Sequence, residues 1–243
     1  MSVTDLLLHG FAGTGRSWEP VIQAAGRPGW RPNAPDLPGH GQQSVDPGED
    51  VPALAARLAA TFAPVATLAG YSLGGRIALQ MALDHPGCAE RLVLISCSPG
   101  IEDSGERRAR QEADGALAAR IERADPAEVA ELWLATPLFA NDPPAVQELA
   151  AAQVVRSRPA GLAGALRSLG PGGMDPLWER LTELELPLTI LVGGRDTRYC
   201  GLGERMAGLV AGARLVVVPG AGHALLREAP DAVAVELDRA GAG

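Results

Sequence analysis

Lysine is absent from this sequence: all 21 basic residues are arginines. That absence excludes Schiff-base chemistry, a pyridoxal-phosphate anchor and the phosphate loop that ends in Gly-Lys-Ser/Thr. Any anion the protein grips must be gripped by guanidinium groups, helix N-termini or backbone N–H groups. Cysteine is scarce as well. Cys88, Cys97 and Cys200 are too few and too scattered for a disulfide framework, and none forms a CxxC pair, which argues against a zinc site. Apolar runs long enough to span a bilayer are missing. The N-terminus lacks a basic stretch followed by an apolar segment and a small-residue cleavage site, so no signal peptide is read and a cytoplasmic protein is expected. A net charge of −8 argues against nucleic acid or an anionic membrane as partner.

What is present is ordinary for one globular domain. The chain has 243 residues, 47% of them hydrophobic and 21% charged, enough to bury a single large core. Asp5 to His9 reads as a buried strand, followed at once by the glycine-rich turn Gly10 to Gly15. A second strand is expected over Trp30 to Ala34, ending in the turn-rich Pro35-Asp36-Leu37-Pro38-Gly39-His40-Gly41. The pattern then predicts a helix over Val51 to Phe62, a strand over Ala66 to Tyr71, a helix over Leu73 to His85 and a strand over Leu92 to Ser96. Near the end come strands at Leu188 to Val192 and Arg214 to Val218, a helix around Gly203 to Val210, and a last helix from Pro230 to Arg239. Short apolar strands alternating with helices describe an α/β fold, a mostly parallel sheet covered on both faces. Between Ile101 and about Gly170 the alternation stops. That stretch reads as a helical cap (101–170) inserted into a core made of 1–100 and 171–243, because a structureless loop of such length is improbable.

Gly70-Tyr71-Ser72-Leu73-Gly74 fits G-x-S-x-G, in which the serine sits on a strained strand-to-helix turn and the glycines allow tight packing. An apolar strand leads in and a helix of good periodicity leads out. Leu73 would supply one backbone N–H of an oxyanion hole, and Phe11, in the turn after the first strand, the other. A serine needs a base, and the base needs an orienting carboxylate. Of four histidines, His9 belongs to the oxyanion turn, His85 lies late on the helix after the elbow, and His40 sits in a loop that could border the site. His223 follows an apolar strand directly, at the carboxyl end where open α/β sheets build their sites. Asp196 holds the same place one strand earlier. The chain order Ser72, Asp196, His223 is the order such an elbow leads one to expect.

Leu8-His9-Gly10-Phe11, Asp36 to Gly41, the elbow, Gly194-Arg195-Asp196 and Gly222-His223 together resemble the α/β-hydrolase superfamily across nearly the whole chain. Within it, Gly70-Tyr71-Ser72-Leu73-Gly74-Gly75-Arg76 is similar to the menaquinone-pathway 2-succinyl-6-hydroxy-2,4-cyclohexadiene-1-carboxylate synthases. Further similarities are Ser96 to Gly100, Arg110 four residues before Asp114, Trp133 in a Trp-x-x-x-Pro-x-Phe run, and Arg156-Ser157. The resemblance implies a lyase that eliminates pyruvate from a succinyl-carrying cyclohexene polyacid, without metal or cofactor. It implies that Ser72, activated by His223, acts as a base and not as a nucleophile.

The arginines fit that implication. Arg76 stands four residues after Ser72, on the same helical face and near a helix N-terminus, where a cation needs a compensating anion. A substrate carboxylate would supply it, with Arg110 and Arg156 from the cap clamping others, and Tyr71 and Trp133 lining the pocket. The partner expected is thus a small anionic polycarboxylate. The alternative on the same residues is a serine hydrolase, a carboxylesterase or carbon–carbon bond hydrolase with Ser72 as nucleophile; a non-catalytic receptor on this fold is a third reading. Two departures stand out. Leu226 replaces a second histidine often found three residues after the catalytic one, which would alter the pocket wall. The chain also starts close to its first strand, so the fold's N-terminal hairpin is expected to be missing and the sheet shorter.

Overall fold

The computed structural model describes residues 4–46, 48–139 and 142–239. Its sheet consists of five parallel strands, β1 (Leu6–Leu8), β2 (Val65–Tyr71), β3 (Ala89–Ile95), β4 (Leu188–Gly193) and β5 (Arg214–Val218), which lie side by side in chain order. The first four read as nearly unbroken apolar runs because helices cover both faces. Alternate residues serve alternate cores: Leu6, Leu8, Leu68, Leu92, Leu94, Ile190 and Val192 on one side, Leu7, Ala69, Val93, Ile95 and Leu191 on the other. Each fully buried Leu or Ile among them contributes about 1.5–3 kcal/mol.

Between β1 and β2 run α1 (Glu19–Ala24) and α2 (Val51–Phe62); α3 (Leu73–Asp84) follows β2. The start of α2 is set by Asp50, whose carboxylate accepts the Ala53 N–H at 2.9 Å. It ends before Ala63-Pro64, since the residue before a proline is pushed out of the helical region. Four helices lie between β3 and β4: α4 (Ser104–Ile121), α5 (Pro126–Leu134), α6 (Pro144–Val154) and α7 (Pro159–Leu169). After β4 comes α8 (Thr197–Leu209), and after β5 the short α9 (Leu225–Glu228) and α10 (Pro230–Asp238).

Two expectations are corrected. Trp30 to Ala34 is not a strand; only Asn33 forms a bridge, parallel to Leu6, with Leu7 N–H donating to the Asn33 carbonyl at 2.8 Å. Pro32 and Pro35 flank it and cannot donate to a ladder. The helix expected around Gly203 begins at Thr197, because Asp196 caps it by accepting the Tyr199 N–H.

The Asn33 bridge also decides where the site lies. Leu6 pairs with Leu68 on one edge of β1 and with Asn33 on the other, so the chain steps outward after β1 and then crosses back to β2. This reversal is a topological switch point, and the crevice outside the strand ends there is where such sheets take ligands.

Candidate active site

Ser72 stands at the end of β2 with φ 52° and ψ −108°, a backbone conformation that costs a non-glycine residue of order 1–3 kcal/mol. The flanking glycines permit the turn. A Cβ on Gly70 would come within 2.2 Å of the Gly74 carbonyl oxygen, and one on Gly74 within 2.2 Å of the Leu8 carbonyl oxygen. The elbow therefore packs onto the end of β1 and presents the serine hydroxyl above the sheet.

The three residues read from the sequence converge. His223 Nε2 lies 3.3 Å from Ser72 Oγ, and its Nδ1 lies 2.8 Å from Asp196 Oδ2. Asp196 divides its carboxylate: Oδ2 orients the histidine while Oδ1 accepts the Tyr199 N–H at 3.3 Å and starts α8. A second carboxylate steadies the histidine loop, since both Glu228 oxygens accept the Gly222 N–H at 3.0 Å. Arg195 pairs with that Glu228 and donates to the Gly220 carbonyl at 2.8 Å, tying the Asp196 loop to the His223 loop. The imidazole is packed among rings, with Tyr199 at 4.6 Å and Phe139 at 5.8 Å between centroids.

Above the serine opens a cavity of about 590 Å³, bordered by Phe11, Ser72, Leu73, Arg76, Trp133 and His223 among others. Neither the Phe11 nor the Leu73 N–H donates to any acceptor among the described residues. Leu73 opens α3, where an N–H has no intrahelical partner. Two free N–H donors thus flank the serine.

Arg76 borders the cavity, is only 8% exposed, and has no carboxylate within 4 Å among the described residues. Its one side-chain hydrogen bond goes to the weak acceptor Met174 Sδ at 3.5 Å. Burial pulls its pKa down to about 10, so it still carries its charge at neutral pH. Arg110 also borders the cavity but is half engaged, its Nε lying 2.9 Å from both oxygens of Asp114. Burial raises the Asp114 carboxyl above its ordinary range despite Arg110 and Arg76. Trp133 is in place, with its ring 4.6 Å from that of Phe11.

Four expectations fail at this level. Arg156 does not border the cavity; it is exposed in the turn that follows α6, and its Nε donates back to the Ala152 carbonyl. Tyr71 lies in the core beneath the histidine, 5.6 Å from it between ring centroids, and its buried hydroxyl has no partner among the described residues. His40 stays off the cavity wall, its Nδ1 bonded to the Pro38 carbonyl at 2.9 Å and its ring edge-on to His9. Leu226 is core and does not border the cavity.

The sequence reading missed Cys97, Asp142, Arg198 and Tyr199, all on the cavity wall. Arg198 and Tyr199 were findable: treating Asp196 as a helix cap puts them in the first turn beside it. No local signal marked Asp142. Among the described residues, no cluster of His, Cys, Asp and Glu is placed to hold a metal ion, and no helix is long and apolar enough to cross a membrane.

Residues 6–237 match the alpha/beta hydrolase family. The chain belongs to that family. Among its relatives, the 2-succinyl-6-hydroxy-2,4-cyclohexadiene-1-carboxylate synthase of Klebsiella pneumoniae (strain 342) is 32% identical over 232 residues, covering 94% of this chain and 89% of that one. The protein of the same name from Salmonella schwarzengrund is 33% identical over 239 residues, with 96% and 91% covered. Of solved structures, MenH from S. aureus superposes with a TM-score of 0.89 at 28% identity, covering 98% of this chain and 92% of the other. A malate-bound thermophilic esterase from Thermogutta terrifontis reaches 0.80 at 26% identity, over 98% and 89%. Proteins similar to this chain thus carry both synthase and esterase names.

Proposed function

We propose that this alpha/beta hydrolase family member is a cytoplasmic lyase of menaquinone biosynthesis. It eliminates pyruvate from a succinyl-carrying cyclohexene polyacid to form 2-succinyl-6-hydroxy-2,4-cyclohexadiene-1-carboxylate. The observation that carries the reading is Arg76, a buried cation on the cavity wall, one helical turn from Ser72, which feels Asp114 at longer range but has no carboxylate within 4 Å among the described residues. Leaving a charge buried and unpaired is costly, so its retention points to an anionic ligand. An esterase for neutral substrates has no use for it. Relatives bearing the synthase name across 94–96% of the chain support the same reading.

In this mechanism Ser72 Oγ takes the proton from the carbon next to the succinyl ketone while passing its own proton to His223 Nε2. Asp196 holds the histidine in the required tautomer and stabilises the imidazolium that forms. The electron pair moves into the ketone, and the resulting enolate oxygen is held by the Phe11 and Leu73 N–H groups. Collapse of the enolate re-forms the ketone and places a ring double bond at the deprotonated carbon; the existing ring double bond moves one position along and expels the enolpyruvyl oxygen, breaking its bond to the ring. The enolpyruvate so released takes the proton held on His223 Nε2, which restores the triad, and tautomerises to pyruvate. Arg76 and Arg110 hold substrate carboxylates.

The triad and the esterase neighbour favour a second reading, in which Ser72 is acylated. Supplying the enolpyruvyl substrate alongside p-nitrophenyl esters separates the two. The lyase reading expects pyruvate release; ester turnover with no pyruvate would overturn it.

A further inference from the structure

One cavity-wall residue is out of keeping with an anion site. Asp142 lies between α5 and α6, borders the cavity and is 9% exposed. Its Oδ2 is buried and has no hydrogen-bond partner among the described residues. Nor does the carboxylate cap α6, whose cap residue is Pro143 and which receives no side-chain hydrogen bond. Arg195 and Arg227 lie nearby, but among the described residues no guanidinium comes within 4 Å of it; Arg195 is engaged by Glu228 and Arg227 by Gln153. The Phe139 ring, at the start of the same segment, packs edge-on against His223, and Asp142 Oδ1 lies 3.5 Å from where a Cβ on Gly222 would stand, so the carboxylate shares the cavity wall with the histidine loop.

A buried carboxylate oxygen without a donor costs about 1–3 kcal/mol or more, and in this cavity it also repels the carboxylates that Arg76 and Arg110 would attract. Burial and the neighbouring Glu228 push its pKa up to about 6, so the group is mostly ionised at neutral pH and acts as an acceptor. A ligand that brings a hydrogen-bond donor to such a group compensates it. The product named for the relatives carries two carboxylates, a ketone and a ring hydroxyl next to the ring carboxylate. The hydroxyl is the one donor in that set.

We propose that Asp142 accepts the hydrogen bond of the substrate's ring hydroxyl, so that the cavity selects a hydroxylated polycarboxylate over its deoxy counterpart. The proposal rests on the lyase reading for the identity of that hydroxyl, and on the cavity alone for the presence of an acceptor. It makes Asp142 a specificity residue beside the arginines: they answer the charge of the ligand, and it answers the alcohol.

The test measures binding by calorimetry, independently of turnover, with trans-2-hydroxycyclohexane-1-carboxylate and cyclohexanecarboxylate as probes. The wild-type protein is expected to bind the hydroxy acid about ten- to a hundredfold more tightly, the span of a hydrogen bond to a charged group. In Asp142→Leu that ratio falls to about one, with the deoxy acid bound no more weakly than before. Asp142→Asn, which keeps the shape and one carbonyl oxygen, retains a reduced preference and guards against a folding defect in the leucine variant. Equal binding of the two acids by the wild type, no binding of either, or the same preference in all three proteins overturns the proposal. So does weaker binding of the deoxy acid to Asp142→Asn, which would mean that Asp142 serves as a proton donor to a carboxylate. If the preference depends on Asp142 but no pyruvate is released from the enolpyruvyl substrate, the lyase reading falls and the acceptor stands.

Discussion

Arg76 donates its backbone N–H to the Ser72 carbonyl at 3.1 Å, so the cation and the reactive hydroxyl stand one helical turn apart on the wall of the same cavity. Function and stability conflict at that pair. A buried guanidinium that meets only a thioether is a poor contributor to folding, and a strained serine beside it is another.

Arg76→Ala is expected to lower kcat/KM for pyruvate release by about two to three orders of magnitude, the scale of a lost charge-assisted contact in a catalytic site. Arg76→Met, which fills the same space without charge, is expected to be equally impaired yet to show a higher Tm than the wild type. A thermal scan and a steady-state assay on both variants check this; a Tm drop in Arg76→Met would show that the cation is paired in the folded protein.

For Ser72 the size of the loss distinguishes its roles. If it moves a proton, Ser72→Ala lowers kcat by about 10²–10⁴-fold. If it is acylated, the loss is on the order of 10⁶-fold and a covalent adduct accumulates with slow esters. Intact-mass measurement during turnover is expected to show no adduct with the enolpyruvyl substrate. Ser72→Gly is expected to be more stable than Ser72→Ala, by about 1 kcal/mol, because glycine accepts the positive φ.

His9 and His40 predict the acid limb of stability. Burial lowers their pKa values to about 4 and about 3. His9 Nε2 accepts the Leu37 N–H at 2.9 Å, which requires the neutral ring. Below the ordinary value of 6.5 the unfolded chain binds protons that the folded chain refuses, so stability rises with pH up to that point and is fully present above it. Tm is therefore expected to fall as pH is lowered from about 6.5 towards 4, each histidine contributing up to a few kcal/mol. In His9→Asn/His40→Asn the slope over that window flattens. An unchanged slope would mean that other groups carry it.

Arg156→Ala is expected to leave kcat/KM within about twofold of the wild type, since an exposed arginine whose side chain bonds only back to the preceding helix contributes little. A hundredfold loss in the same pyruvate assay would place Arg156 in the site through a movement of α6.

The triad was legible because each member sits at a strand end that announces itself locally. Ser72 follows an apolar run and precedes a helical period, while Asp196 and His223 close two successive strands. The elbow's glycines are dictated by contacts with residues four positions away or on the adjacent strand, which the G-x-S-x-G spacing already encodes. Arg76 was legible for the same reason, being one turn from a residue whose position was known. The strand at Trp30 to Ala34 was misread because its apolar residues outweighed two prolines, and α8 because Asp196 was read for catalysis and not also as a cap.

By itself, then, the sequence determined the alternation of strands and helices, the inserted helical stretch and the order Ser72, Asp196, His223, since periodicity and turn chemistry act over a few residues. Only the tertiary structure decided which polar groups share the cavity. It brought in Arg110, Arg198 and Asp142, left out Arg156, and sank Tyr71 beneath the histidine. The phase of a cap helix about its axis, and hence which side chain meets a cavity formed by distant strand ends, is set by packing between elements far apart in the chain. No spacing within one segment records it.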